Sequence, residues 1–349
     1  MRFGLSRRGA AAAAVLTALA VAACQSPAPV EVAVAPPPPP PPPPPVSLSD
    51  SITQAAAAYQ TYVREASAIS STFADGTVVQ ASLHKGVSYE PKQFNRGAVA
   101  YGAVAALQSP EFVAGVRTFA ADPTQRQEMV ARITADPAYA AALPGAENAA
   151  GLVVSALAAD GGAIFRAGQA VKQAAYDVQR QKWSREHVKD RDNRLAMAKQ
   201  LSATPIVAQA EHNARLMQAA LTGGGLSVPP AAARPPYTPA VTRSLAVAAL
   251  AALGAGADPN VELLLEENSG NYCLNLAKLN LYQCLAVSKP HYEDLFCLGQ
   301  HVLMDTGQCL TKIAGPTGAL YSPIPQTAPT ALDAATESRP ASSVTPNTQ

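Results

Sequence analysis

Cys273, Cys284, Cys297 and Cys309 lie close together near the end of the chain, while Cys24 stands alone near its start. Clustered thiols can bind a metal, exchange electrons or form disulfides. Cys297 and His301 are one helical turn apart with His291 nearby, a spacing that suits zinc, but no second close pair completes a tetrahedral set. No Cys-x-x-Cys is present to lower a thiol pKa for redox catalysis. His84, His187, His212, His291 and His301 are scattered without a partner at catalytic spacing. Trp183 is the only tryptophan and sits amid Arg180, Lys182, Arg185 and Lys189, a candidate partner patch with an aromatic anchor. A solvated helix face with an i,i+4 pair such as Lys182 and Glu186 accounts for those charges equally well.

Which thiol chemistry applies depends on compartment, and the first residues address that. Arg2, Arg7 and Arg8 precede the apolar stretch Ala10–Ala23, which is too short to span a bilayer, and residues 1–23 contain no acid. They read as a signal peptide. The sequence Val21-Ala22-Ala23-Cys24 resembles the lipobox of bacterial lipoproteins, although Leu is commoner where Val21 stands. The resemblance covers the targeting segment alone. It implies cleavage before Cys24, diacylation of the Cys24 thiol and acylation of the new amine, an anchor far firmer than one chain. Gln25 rather than Asp in second position resembles lipoproteins sent to the outer membrane of a Gram-negative cell. The expected location is therefore the periplasmic side of the outer membrane. In that oxidising compartment an even number of remaining cysteines reads as two disulfides.

Helical pitch selects the pairing. Leu274, Leu276, Ala277, Leu279, Leu281, Leu285 and Val287 make Cys273–Ser288 helix-like; Lys289-Pro290 breaks the pattern, and His291–Met304 resumes it with Leu295, Phe296, Leu298, Val302 and Leu303. Eleven helical residues rise roughly 16.5 Å, whereas a disulfide needs Cα atoms within about 7 Å, so Cys273 cannot reach Cys284 along one helix. The same eleven residues make about three turns, so both face one antiparallel partner. The nested pairs Cys284–Cys297 and Cys273–Cys309 follow, since the crossed pairing demands parallel helices. The arrangement resembles the stapled helical hairpins of twin Cys-x9-Cys proteins, here with ten and eleven residues between cysteines. That is a likeness of geometry and not of kinship.

The elements around this hairpin read as all-α: few aromatics, an Ala-rich chain and short isolated β-branched groups. After the signal peptide, residues 24–47 are the lipid anchor and a spacer, in which Pro36–Pro45 is an unbroken left-handed rod of roughly 31 Å. A uniform run lacks the flanking residues of a specific docking strip. A helical domain is expected over 48–222. It opens at cap candidates Ser49-Asp50-Ser51, with Ile52, Ala56, Tyr59, Val63, Ala66, Ile69 and Phe73 on one face. Residues 75–90 read as either a hairpin-like excursion or a broken helix. Ser109-Pro110, Asp122-Pro123 and Asp136-Pro137 each set a cap before Pro. From Ala146 to Asn193 one long helix, or two nearly continuous ones, carry the seam Leu157, Ile164, Val171 and Val178, which Asp160-Gly161-Gly162 threatens to break. A further helix is expected over Pro205–Leu221. Residues 223–239 read as a Pro/Gly-rich linker, 240–312 as a small four-Cys helical domain opening with the Ala-rich helix Pro239–Ala252, and 313–349 as a disordered tail.

Loss of residues 1–23 turns the formal charge from +1 to −2, so no field gathers nucleic acid. No phosphate loop, H-E-x-x-H or G-x-S-x-G occurs. The sequence thus reads as a non-enzymatic lipoprotein with no cofactor and no metal, joined to the membrane through Cys24, with a structural or interaction role toward an envelope protein. A carrier of an apolar or envelope ligand between helices is the alternative, and an envelope enzyme or accessory factor a further one.

Overall fold

The computed structural model describes residues 42–315. The signal peptide, Cys24, the start of the proline run and the tail from 316 lie outside the described residues. The described chain is all-α. Its helices are α1 (Asp50–Ser67), α2 (Gly76–Val87), α3 (Pro91–Ala106), α4 (Pro110–Arg117), α5 (Pro123–Ala135), α6 (Ala146–Asp177), α7 (Lys182–Arg185), α8 (Arg191–Ser202), α9 (Ala210–Thr222), α10 (Pro239–Ala252), α11 (Pro259–Leu263), α12 (Asn268–Val287), α13 (His291–Cys297) and α14 (Asp305–Ala314). A wide π segment, Leu298–Met304, joins α13 to α14.

Capping chemistry places most helix starts. The side chains of Ser49, Ser109 and Asp122 accept hydrogen bonds from Ile52, Phe112 and Gln125 backbone amides at 3.3, 3.3 and 2.8 Å. Asp136 caps a short 3-10 turn through Ala138. Glu90-Pro91, Thr238-Pro239 and Asp258-Pro259 repeat the same device. Residues 75–90 hold an unbroken helix, Gly76–Val87, and no hairpin, because Asp75 accepts from both Thr77 and Val78 and outweighs the β propensity of Thr77-Val78-Val79.

α3 and α10 are buried almost all round, as helices at the centre of a core are. Around them pack α1, α6 and α14. Tyr59, Tyr62, Tyr89 and Phe94 form an aromatic cluster with ring centroids 4.6 to 5.1 Å apart. α6 has the length and composition to cross a membrane, but 67% of its apolar window is buried inside the protein.

Several expected boundaries shift. α6 runs unbroken through Gly161 and Gly162, because the second arm of the cysteine hairpin presses on Gly161: a Cβ there would lie 2.8 Å from the Gly307 carbonyl oxygen. The helix stops at Asp177, not Asn193; Gln181 and Glu186 are extended, and Asp190 (φ 52°) caps the separate α8. Residues 205–209 are not helical, and α9 starts at Ala210. Ile69 and Phe73 are buried but lie beyond the end of α1. α14 extends to Ala314, past the expected boundary at 312.

The expected division into a 48–222 domain and a 240–312 domain is not a division of the core. Residues on both sides of the linker share one hydrophobic cluster, from Ile52 to Ala314. The linker itself is docked: Ala233 donates its amide to the Glu147 carbonyl at 3.0 Å, and Tyr237 and Leu226 pack on the core.

Candidate functional site

α12 carries a staple at each end. Cys273 is bonded to Cys309 and Cys284 to Cys297, with Cα separations of 5.7 and 5.8 Å. The π segment and α14 lie antiparallel to α12, which the nested pairing requires. Cys297 is thus engaged with Cys284, and His301 pairs with Asp305 at 2.9 Å instead of sharing a metal with it. Burial favours protonation of Asp305, but hydrogen bonds from His301 and Gln300 outweigh it and hold the carboxyl below its usual range. Among the described residues no group of three or more His, Cys, Asp or Glu is arranged to hold a metal ion.

The segment after α6 wraps around the hairpin bend. His187 and Pro290 form an isolated antiparallel bridge, Val188 donates to the Lys289 carbonyl at 2.8 Å, and the His291 amide donates to Glu186 at 3.2 Å. Arg191 donates to the carbonyls of Ser288 and Ala286 at 2.7 and 2.9 Å, which satisfies the free end of α12. Beneath this strap the buried Asp294 accepts from Arg194 of α8 and Ser288, both out of solvent, and from the half-buried Gln80 of α2. Arg194 also donates to the Leu285 carbonyl. The sequence offers no signal for this pair beyond its residue types.

Trp183 is half-buried, donates to Gln181 at 2.5 Å, and has its ring 6.5 Å from that of His291. Arg180, Lys182, Arg185 and Lys189 are exposed around it, with Arg185 donating to the Gln179 carbonyl. α7 is one turn long, so these charges do not form the solvated face of a continuous helix.

Other titratable groups lie apart. Lys278 of α12 is buried, donates to the Val87 carbonyl at 2.7 Å and stands 3.4 Å from the Tyr89 ring centroid. Burial lowers its pKa well below the ordinary lysine value. Its ammonium completes the C-terminus of α2. Burial lifts Asp160 of α6 up to about 7, against the pull of Tyr59, Gln60 and Arg64. Gln60 donates to it at 2.8 Å, while the buried Tyr59 hydroxyl faces it without completing a well-formed hydrogen bond. His212 shares a hydrogen bond with Thr61, and burial together with Arg64 and Arg215 lowers its pKa. His84 is half-buried and His187 exposed.

Surface grooves are shallow. One of about 460 Å³ runs between the linker and α6, lined by Gly151, Ser155, Ala232 and Tyr237. A second, of about 360 Å³, lies beside the Cys273–Cys309 bond between α10, α12 and α14. Tyr272 and Leu276 border it, and the outer face of α12 continues with Leu279 and Val287, all exposed. The geometry is therefore that of a rigid, stapled helix presented to its surroundings. No family model, curated protein or solved structure matches this chain.

Proposed function

We propose that the protein is a lipid-anchored lipoprotein of the outer membrane, facing the periplasm, with a structural or interaction role toward another envelope protein. The observation that carries this reading is the order of parts: Val21-Ala22-Ala23-Cys24, then ten prolines, then a helical body that grips the end of the proline run. Arg117 of α4 donates to the Pro44 carbonyl at 2.9 Å, and Ser47 donates to Ala251 of α10 at 3.2 Å. In this reading the body holds the last residues of the run, and a Pro-rich spacer is stiffer than a Gly/Ser tether of the same length.

Radiolabelled palmitate should enter the wild-type protein and not Cys24→Ala; equal labelling of both removes the anchor from the proposal. Crosslinking in intact cells should then recover one stoichiometric envelope protein. The carrier reading draws on the groove between linker and α6, whose lining is mainly apolar. Lipid recovered with a lone monomer, and no crosslinked protein, would favour it.

A further inference from the structure

Residues 224–237 form no helix and lie across the start of α6. The crossing point is Gly151, where a Cβ would stand 2.0 Å from the Ala231 carbonyl oxygen, so the backbone of this segment rests directly on the helix. Among the described residues a single hydrogen bond joins the segment to the helices it crosses, from the Ala233 amide to the Glu147 carbonyl at 3.0 Å. The Tyr237 hydroxyl turns back on the segment itself and donates to the Ala233 carbonyl at 2.9 Å. Leu226, Val228, Ala233 and Tyr237 reach the core, and each is only partly buried. At the start of the segment Gly225 has a φ of 93°, and a Cβ on Gly224 or Gly225 would meet nothing within 4 Å, so no neighbour holds the chain there.

The segment is also a partition. The groove of about 460 Å³ on one side and another of about 630 Å³ on the other share Pro230 and Ala231 as a common wall. With that wall lifted the two become one trough over α6, floored by Gly151, Leu152, Val154 and Ser155.

We infer that residues 224–237 are a lid, which swings away from α6 about Gly223–Gly225 while the helical core stays folded. Local opening draws on the least-held parts of a fold, those with few buried apolar contacts and few protected hydrogen bonds. The far end of the lid is pinned: Thr238 donates to the Ile313 carbonyl at 2.6 Å and accepts from the Val241 amide at 3.2 Å, so the movement ends where α10 begins. α10 itself is buried almost all round and stays in place. A groove that widens when a lid lifts is what the carrier reading requires, but the lid stands whether or not a ligand enters and whether or not Cys24 is acylated.

The test is the reactivity of a covered thiol. Ser155 lines the groove beside the lid and is 6% exposed, while Val153 is wholly buried and faces Gly102 of α3. Ser155→Cys and Val153→Cys are each made in the full chain with native disulfides and Cys24→Ser, so that each supplies the only free thiol. A bulky aromatic disulfide reagent should label Ser155→Cys at least about a hundredfold faster than Val153→Cys, at a rate that low urea leaves unchanged. Ala233→Pro, which deletes the one amide tying the lid to α6, should speed labelling at 155 by about tenfold. Gly151→Ala, which pushes the Ala231 carbonyl off the helix, should speed it as well. Neither should alter labelling at 153, and far-ultraviolet circular dichroism should show every variant folded. Equal rates at 155 and 153 with equal urea dependence overturn the inference, because the segment then opens only with the whole fold. Labelling of Ser155→Cys at the rate of the unfolded chain also overturns it, by showing that nothing covers that face. So does a rate at 155 indifferent to both Ala233→Pro and Gly151→Ala.

Discussion

Arg194 and Asp294 form an ion pair sealed from water, 3% and 0% exposed, that locks α8 to the bend of the cysteine hairpin. Asp294 fills its remaining acceptor sites with Gln80 and Ser288, so one carboxylate ties together four segments. A buried pair of this kind adds little net stability over an apolar replacement, but a half-pair is costly. Asp294→Ala, which strands the Arg194 guanidinium, should destabilise by about 3–5 kcal/mol in urea unfolding. Arg194→Met together with Asp294→Leu should recover most of that loss. Equal losses in single and double variants would show that packing at the site, not charge, decides its stability.

Two adjacent glycines of α6 should respond in opposite directions to alanine. A Cβ on Gly161 would meet the Gly307 carbonyl oxygen at 2.8 Å and the Leu310 Cβ at 2.9 Å, so the backbones of α6 and α14 must separate. A Cβ on Gly162 meets only the mobile end of Arg166, at 3.2 Å. Gly161→Ala should therefore cost about 1–3 kcal/mol despite alanine's better helix propensity. Gly162→Ala should gain up to about 1 kcal/mol. Thermal melts of the two variants under one buffer decide it, and a stabilising Gly161→Ala would contradict the close approach.

Those glycines also mark where sequence ceased to be informative. Pitch, the break at Lys289-Pro290 and the four cysteine positions are local facts, and they sufficed to choose the nested pairs seen at Cys273–Cys309 and Cys284–Cys297. Cap-proline pairs such as Ser109-Pro110 are likewise local and were legible. Gly161 read as a helix breaker because the backbone that requires it, at Gly307, comes from far along the chain. The single core was hidden for the same reason: residues 223–239 have a linker's composition, yet Ala233 and Tyr237 pack onto helices that precede them. Nothing in the neighbours of Asp160 announces its half-buried place against Gln60 of α1.

Asp160 should give the protein a pH-dependent stability. Its folded-state pKa, about 7, lies above the unfolded value near 3.8, so the folded protein binds the proton more tightly than the unfolded chain. The contribution is fully present below pH 3.8 and is lost as pH rises through about 7. The span corresponds to roughly 4 kcal/mol. Asp160→Asn should therefore be more stable than wild type at pH 8 and close to it at pH 4. Urea midpoints at the two pH values measure this, and a constant difference between wild type and variant would show that Asp160 does not titrate in the folded state.

The two disulfides should act on the whole molecule and not on the hairpin alone. The inner bridge spans 13 residues and the outer 36, which on the chain-entropy estimate contribute about 3 and about 4 kcal/mol. Because α12 and α14 share one core with α3 and α6, reduction should lower the urea midpoint of a single transition seen by circular dichroism, with α1 to α9 unfolding alongside the hairpin. A reduced protein that loses helix in two separated steps would mean that the shared core is too weak to couple them. The pairing itself is open to direct mapping. Cleavage after Lys278 and Glu293 and before Asp305 separates all four cysteines onto different peptides. Without reductant, the peptide bearing Cys284 should remain bonded to that bearing Cys297, and the peptide bearing Cys273 to that bearing Cys309. Cys273 found with Cys297 would require α12 and the second arm to run parallel, which the break at Lys289-Pro290 and the antiparallel arms forbid.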